Sequence, residues 1–415
     1  MSSATYRTLL RTPGAAAFFL TAAVGRVGIA MTSLGIVWLV HGRTDSYADA
    51  GLVTGGFAVA EALAGPQVAR LIDRFGQTRV LPPALIAHAA SVAMLLTLVA
   101  GGSPSWLMTA GGVLVGATIP QLGALSAARW SALLRGGRST GLPTAFALES
   151  LSNALGYLVG PALVSTIGAG GHPALGTVLA AVLVVVGGLA FAAQQSTAPP
   201  PVSALAEGTR ARGSLLRPGF AVLVAHNLAI GVYFGAMQVS VTAFAVEHGA
   251  PDAAGPLFAV SSCSGLLAGW LYGLRRWRAK PRVQLAVATA GLALGSLLLF
   301  AAGSPLGLGF VIVLTGAAVP PILVLFSVLA ESAVHQAVLT QAFTWLNSAG
   351  AAGAAGAAAI SGWAVDASGA TGGFAAATTA AATTAAATMA VLAAAGIRAR
   401  YGPKRQLARQ EPTRP

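Results

Sequence analysis

Six ionisable side chains interrupt stretches that are otherwise apolar: Arg26, Glu61, His88, Glu149, His226 and Glu331. A charge held at the centre of a bilayer costs about 3 kcal/mol or more, so each of these residues is a functional candidate. A carboxylate in that setting can take up a proton, lose its charge and release a neighbouring cation. Glu149 is the first candidate for this proton-carrying role, Glu61 its competitor and Arg26 the cation to be released. At 1.5 Å per residue, Arg26 lies ~18 Å past Gly14, Glu61 ~13 Å before Arg70 and Glu149 ~12 Å past Gly141, depths that allow one shared cavity. A static ion pair between Arg26 and Glu61 stands level with a direct role, because buried charges need partners in any case. Arg129 is the cation nearest in sequence to Glu149. His88 reads as packing, and His226 with Asn227 reads either as path-lining or as helix packing.

Gln121, Asn153, Gln238 and Asn347 add neutral polar groups within apolar stretches. With His226 and Asn227 they are the candidates for holding a substrate, and helix packing is the equal alternative. The sequence has no phosphate-cradling Gly-rich loop beside a Lys, no metal-ligand cluster and no Ser-His-Asp grouping, so no cofactor, metal or enzymatic role is expected. The lone Cys263 excludes an intrachain disulfide.

The elements that must position these groups are membrane helices. Of 415 residues, 55% are hydrophobic and 8% charged, and the mean hydropathy is +0.75. That composition excludes a soluble fold, which needs a charged surface. Apolar stretches at 14–40, 48–69, 81–101, 105–127, 142–168 and 173–193 predict six spans within an N-terminal half, 1–194. A Pro-, Ser- and Arg-bearing linker at 195–217 follows. Six further spans at 218–246, 251–274, 283–302, 305–330, 338–365 and 371–396 form a C-terminal half, 218–396, before a basic tail at 397–415. With 52 Gly, close helix approach through small residues is favoured.

The net charge of +13 is a matter of topology. Of 24 Lys and Arg, 22 fall in the termini and alternate loops on one side; Arg43 lies opposite and Arg26 within a span. The positive-inside rule then places both termini and the linker in the cytoplasm and removes nucleic acid as a partner. The bias of 22 Arg to 2 Lys, with abundant Ala and Gly, points to a high-GC bacterial source and hence to the cell membrane.

Two motifs add to this. The loop after the second span reads Ala69-Arg70-Leu71-Ile72-Asp73-Arg74-Phe75-Gly76-Gln77-Thr78-Arg79. It resembles the signature Gly-x-Leu-x-Asp-Arg-x-Gly-Arg-Arg of the major facilitator superfamily, matching at Leu71, Asp73, Arg74 and Gly76. Ala69 replaces the first Gly, Gln77 and Thr78 replace the Arg pair, and Arg79 follows one position late. The second-half loop, Gly273-Leu274-Arg275-Arg276-Trp277-Arg278, lacks the acid, so a weaker gate is expected there. The fifth span carries Gly156, Gly160 and Pro161, similar to the helix-five antiporter motif of that superfamily, although Val164 and Ser165 stand where the family has a further Gly pair. Gly350, Gly353 and Gly356 after Leu346-Asn347-Ser348 resemble a counterpart without the Pro. GATIP at 116–120 recurs as GAAVP at 316–320, as expected for parallel six-helix repeats.

The resemblance implies an all-α fold of twelve membrane helices in two pseudo-symmetric halves. It also implies a monomeric secondary transporter working by alternating access, with protons, a small-molecule substrate and the lipid bilayer as partners. Proton-coupled efflux of a small organic or drug-like molecule is the first expectation. Uptake of a small anion held by Arg26 is the second, and a transport-dead sensor a distant third. Asp73, Arg74, Gly76 and Arg79 are expected to act on conformational exchange.

Overall fold

The structure is a computed structural model describing residues 5–201, 215, 217–275 and 277–407. Of the linker, residues 202–214 and 216 lie outside the described residues, as do 408–415 of the tail. A short surface helix, α1 (Tyr6–Leu10), leads into the N-terminal half: α2 (Ala15–Thr44), α3 (Tyr47–Phe75), α4 (Gln77–Ala100), α5 (Ser105–Thr118), α6 (Leu122–Leu133), α7 (Leu142–Ala169) and α8 (Pro173–Ala192). The C-terminal half comprises α9 (Pro218–Glu247), α10 (Ala254–Leu274), α11 (Pro281–Leu297), α12 (Pro305–Ala333), α13 (Leu339–Ser368) and α14 (Ala370–Leu407). The twelve spans are α2 to α14, with α5 and α6 together making the fourth. The last helix runs past residue 396, where the basic tail was expected to begin.

Ten of these segments are long and apolar enough to cross a membrane. The two that are less apolar, α3 and α13, are 29 and 30 residues long. They pack on each other across the two halves, so their facing sides need not be lipid-soluble.

Within each half, glycine lets backbones meet where a side chain would hold them apart. A Cβ on Gly28 of α2 would lie 2.5 Å from the Ala180 carbonyl oxygen of α8, and one on Gly187 of α8 would lie 2.5 Å from the Gly25 nitrogen. The C-terminal half repeats the device with Gly231 and Gly235 of α9 against Gly350 and Ala354 of α13. The repeated GATIP and GAAVP segments differ in outcome. Before Pro120 the chain leaves the helical region, with Ile119 at ψ 127°, and α5 ends. Pro320 and Pro321 instead remain inside the continuous α12. The break in the first half frees Gln121 to face another helix.

Candidate functional site

The two halves meet along α3 and α13. A Cβ on Gly65 of α3 would lie 3.3 Å from Thr344 Cγ2 of α13 and 3.5 Å from Gln121 Cγ. The helices run antiparallel. One turn from this contact, away from the basic loops, α3 carries Glu61 and α13 carries Asn347 and Ser348. Fourteen residues before Gly65, near four whole turns, Gly51 lies on the same face of α3. Eighteen residues after Thr344, five turns, Gly362 lies on the same face of α13. A Cβ on either would meet nothing within 4 Å. The halves are therefore in contact toward the basic end and apart toward the other.

Glu61 stands where they part. It is half-buried, and its Oε1 accepts a hydrogen bond from Gln121 Nε2 at 3.1 Å. Tyr157 of α7, exposed, is within electrostatic reach of it. Among the described residues no cation pairs with Glu61.

The expected pairing of Arg26 with Glu61 is corrected by the structure: Arg26 pairs with Glu149. The reason is helix adjacency. Gly156 and Gly160 of α7 seat on the α2 backbone, where a Cβ on Gly156 would lie 3.6 Å from the Arg26 carbonyl oxygen and one on Gly160 3.1 Å from that of Val27. Glu149, two turns before Gly156, is thereby carried against Arg26. Its Oε1 also accepts from Ser126 Oγ at 2.6 Å and Trp130 Nε1 at 2.7 Å, and Arg26 Nη1 donates to the Glu149 carbonyl oxygen at 3.3 Å. Both side chains are buried within the N-terminal half.

Arg129 is likewise not the partner of Glu149. Fully buried, it donates from Nε to Gln77 Oε1 at 2.7 Å. It also donates to the carbonyl oxygens of Phe191 and Gln194 at 3.1 and 2.9 Å, and to Thr197 Oγ1 at 3.0 Å. The carbonyl ends of α8 attract a cation, and the guanidinium lies 3.8 Å from the Phe191 ring centroid. Gln77, standing where the family has an Arg, is thus a buried member of this network.

At the basic end Asp73 Oδ2 accepts from the Gln341 backbone N–H at 2.9 Å, in the first turn of α13. An anion there is favoured by the helix N-terminus. Asp73 lies past the apolar stretch of α3, and burial pushes its carboxyl up to about 7 against the opposing pull of its hydrogen bonds with Thr340 and Gln341. Gly76 is the single residue between α3 and α4 and sits at φ 98°, a conformation open to glycine. Arg74 and Arg79 are exposed, and Arg74 lies 5.0 Å from the Phe75 ring centroid. At the second-half loop that lacks an acid, hydroxyls make the contact. Thr144 Oγ1 donates to the Gly273 carbonyl oxygen at 3.0 Å, and Tyr6 Oη donates to that of Trp270 at 3.0 Å. Phe146 and Phe343 close this end with ring centroids 5.7 Å apart. Every hydrogen bond between the halves among the described residues lies here.

The remaining candidates divide. Asn153, Gln238 and Asn347 are exposed and Gln121 half-buried. For His226 and Asn227 the packing alternative holds and the path-lining one does not: both are buried inside the C-terminal half. His226 Nε2 bonds Thr388 Oγ1 at 3.0 Å and Nδ1 the Val222 carbonyl oxygen at 2.6 Å, while Asn227 reaches the Leu223 carbonyl oxygen at 3.4 Å. Helices α9 and α14 enclose them because α9 turns that face inward. His88 is fully buried beside Thr118, at 3.4 Å. Glu331 is half-buried, within electrostatic reach of Arg135. Among the described residues no three His, Cys, Asp or Glu group as metal ligands. Ser126, Trp130, Thr144 and Tyr6 escaped sequence reasoning; the i, i+4 spacing of Ser126 and Trp130 was the one available signal.

The sequence profile of the Major Facilitator Superfamily matches residues 17–359. No curated protein sequence matches the chain. Among solved structures, the fold is similar to that of the human organic anion transporter MFSD10, at 15% identity, with 90% of this chain and 98% of that one covered and a TM-score of 0.68. It is similar to FucP, a transporter of that superfamily solved in the outward conformation, at 15% identity, with 91% and 98% covered and a TM-score of 0.68. A bacterial homologue of the iron transporter ferroportin in an outward-facing state matches at 13% identity, with 90% and 98% covered and a TM-score of 0.70.

Proposed function

The chain belongs to the Major Facilitator Superfamily, a fold that implies a secondary transporter, and from that premise we propose that it exports a small organic molecule in exchange for protons. Both termini and the 195–217 linker are cytoplasmic in this reading, and the protein works as a monomer in the cell membrane. The observation that carries alternating access is the asymmetry of the two ends. The halves are joined by hydrogen bonds at the basic end and parted along the same helix faces at the other, so one gate is closed while the other stands open. A proton crossing such a membrane releases about 2.3 kcal/mol per 100 mV, enough to drive the exchange.

The proton role passes from Glu149 to Glu61. Glu149 is saturated by Arg26, Ser126 and Trp130, and neutralising it would strand a buried guanidinium. Glu61 has a neutral partner and is half-buried, one turn from the contact of α3 with α13 on the side where the halves part. The commitment of Arg26 to Glu149 also weighs against anion uptake through Arg26. The test is a compound panel in a strain stripped of its own exporters. Expression should lower retention of at least one compound, an uncoupler should restore it, and Glu61→Gln should abolish the effect. Raised accumulation would make the protein an uptake carrier; uncoupler-sensitive export by Glu61→Gln would remove the proton role from this residue.

A further inference from the structure

Resting on that reading, we infer that the transported molecule carries a positive charge, and that Glu61, positioned by Gln121, is the subsite for its cationic group. The argument is one of charge balance. Of the charged side chains at mid-depth, Arg26 and Glu149 neutralise each other inside the N-terminal half. Glu61 is left as the uncompensated charge, on the α3 face where the halves part. Its hydrogen bond from Gln121 fixes the carboxylate without neutralising it.

The open end points the same way. Asp45, Asp49, Asp252 and Asp366 stand at the helix ends there, against Arg43 alone, while Glu247 is engaged in accepting the Ala370 N–H at the start of α14. A mouth of one sign concentrates solutes of the other. An anion would pass a repelling mouth and meet a like charge; a cation would meet attraction at both.

The site's sign can be measured without knowing the natural substrate and without turnover. In full-length protein reconstituted in nanodiscs, with Cys263→Ser as background, Asn347→Cys places a thiol one turn from the Gly65–Thr344 contact, across the seam from Glu61. A cationic and an anionic methanethiosulfonate reagent are compared, each relative to its rate with a free thiol. The cationic reagent should be favoured by about tenfold or more, the scale of one unit charge across a few ångströms of partly wetted protein. Glu61→Gln should remove most of that preference and Glu61→Asp should keep it. Tetraphenylphosphonium should protect the thiol and the isosteric anion tetraphenylborate should not. An anionic preference, a preference that survives Glu61→Gln, or absent protection by the cation overturns the inference. Export of a neutral or anionic compound, unaffected by Glu61→Gln, would overturn it while leaving the transporter reading intact. Charge-selective labelling with no export in any panel would do the reverse.

Discussion

Asp73 gives the sharpest forecast because opening of the basic end, as proposed above, would carry its carboxyl from the contact with α13 into water. With the basic end closed, the carboxyl is half-buried against α13 and pushed up to about 7 from its ordinary 3.8. When that end opens, the group returns to water and its ordinary value. The closed state therefore binds a proton more tightly, and linkage requires that acid favour closure. The gain is complete below the open-state value and is lost as pH rises through about 7. Between about pH 8 and pH 6 the ratio of closed to open molecules should rise about tenfold for a fully shielded group. Asp73 is only half-buried, and screening brings the expectation to about threefold to tenfold, or about 0.6 to 1.4 kcal/mol. Asp73→Asn keeps an acceptor for the Gln341 N–H without a charge to desolvate. It should hold the basic end closed, slow transport, leave equilibrium substrate binding nearly unchanged and flatten the pH response. Spin labels at Arg79→Cys and Lys280→Cys, in a Cys263→Ala background, report the distance across that end. A pH response of opposite sign, or one that persists with the same midpoint in Asp73→Asn, would refute the reasoning.

Three further outcomes follow from the packing. Glu149→Gln should lower stability by about 3–5 kcal/mol by stranding Arg26, and the pair Arg26→Met with Glu149→Leu should recover most of the loss; thermal unfolding in nanodiscs decides, and a wild-type midpoint for Glu149→Gln would contradict the buried pair. Thr144→Val leaves the Gly273 carbonyl oxygen unsatisfied in the closed state, costing that state about 1 kcal/mol and shifting the same spin-label distances about fivefold toward opening. Gly353→Val places a side chain against the Leu228 backbone of α9 and should cost about 3 kcal/mol, read as lost monodisperse protein on size exclusion, whereas Gly356→Val, where nothing lies within 4 Å, should behave as wild type.

The sequence by itself determined the membrane class, the helical fold and the two halves, because hydropathy and the run of Arg between apolar stretches are local properties that need no partner to act. Gly76 was legible only as a match to the motif; that it is a one-residue connection between helices at φ 98°, a conformation that selects glycine through its own backbone, belongs to the structure. The stretches at 48–69 and 338–365, which form α3 and α13, were legible from their own apolar runs although they are less apolar than the other ten. What only the tertiary structure decided is the pairing of charges. Arg26 and Glu149 are 123 residues apart, and their meeting depends on glycines that let α7 lie against α2. The same adjacency left Glu61 with Gln121, whose side chain is free to face α3 only because Pro120 ends the preceding helix. Burial of His226 and Asn227, and the replacement of a missing acid by Thr144 and Tyr6, are set by helix neighbours in the same way. A buried polar group takes whichever partner the packing brings within about 3 Å, and residue spacing along the chain does not carry that distance.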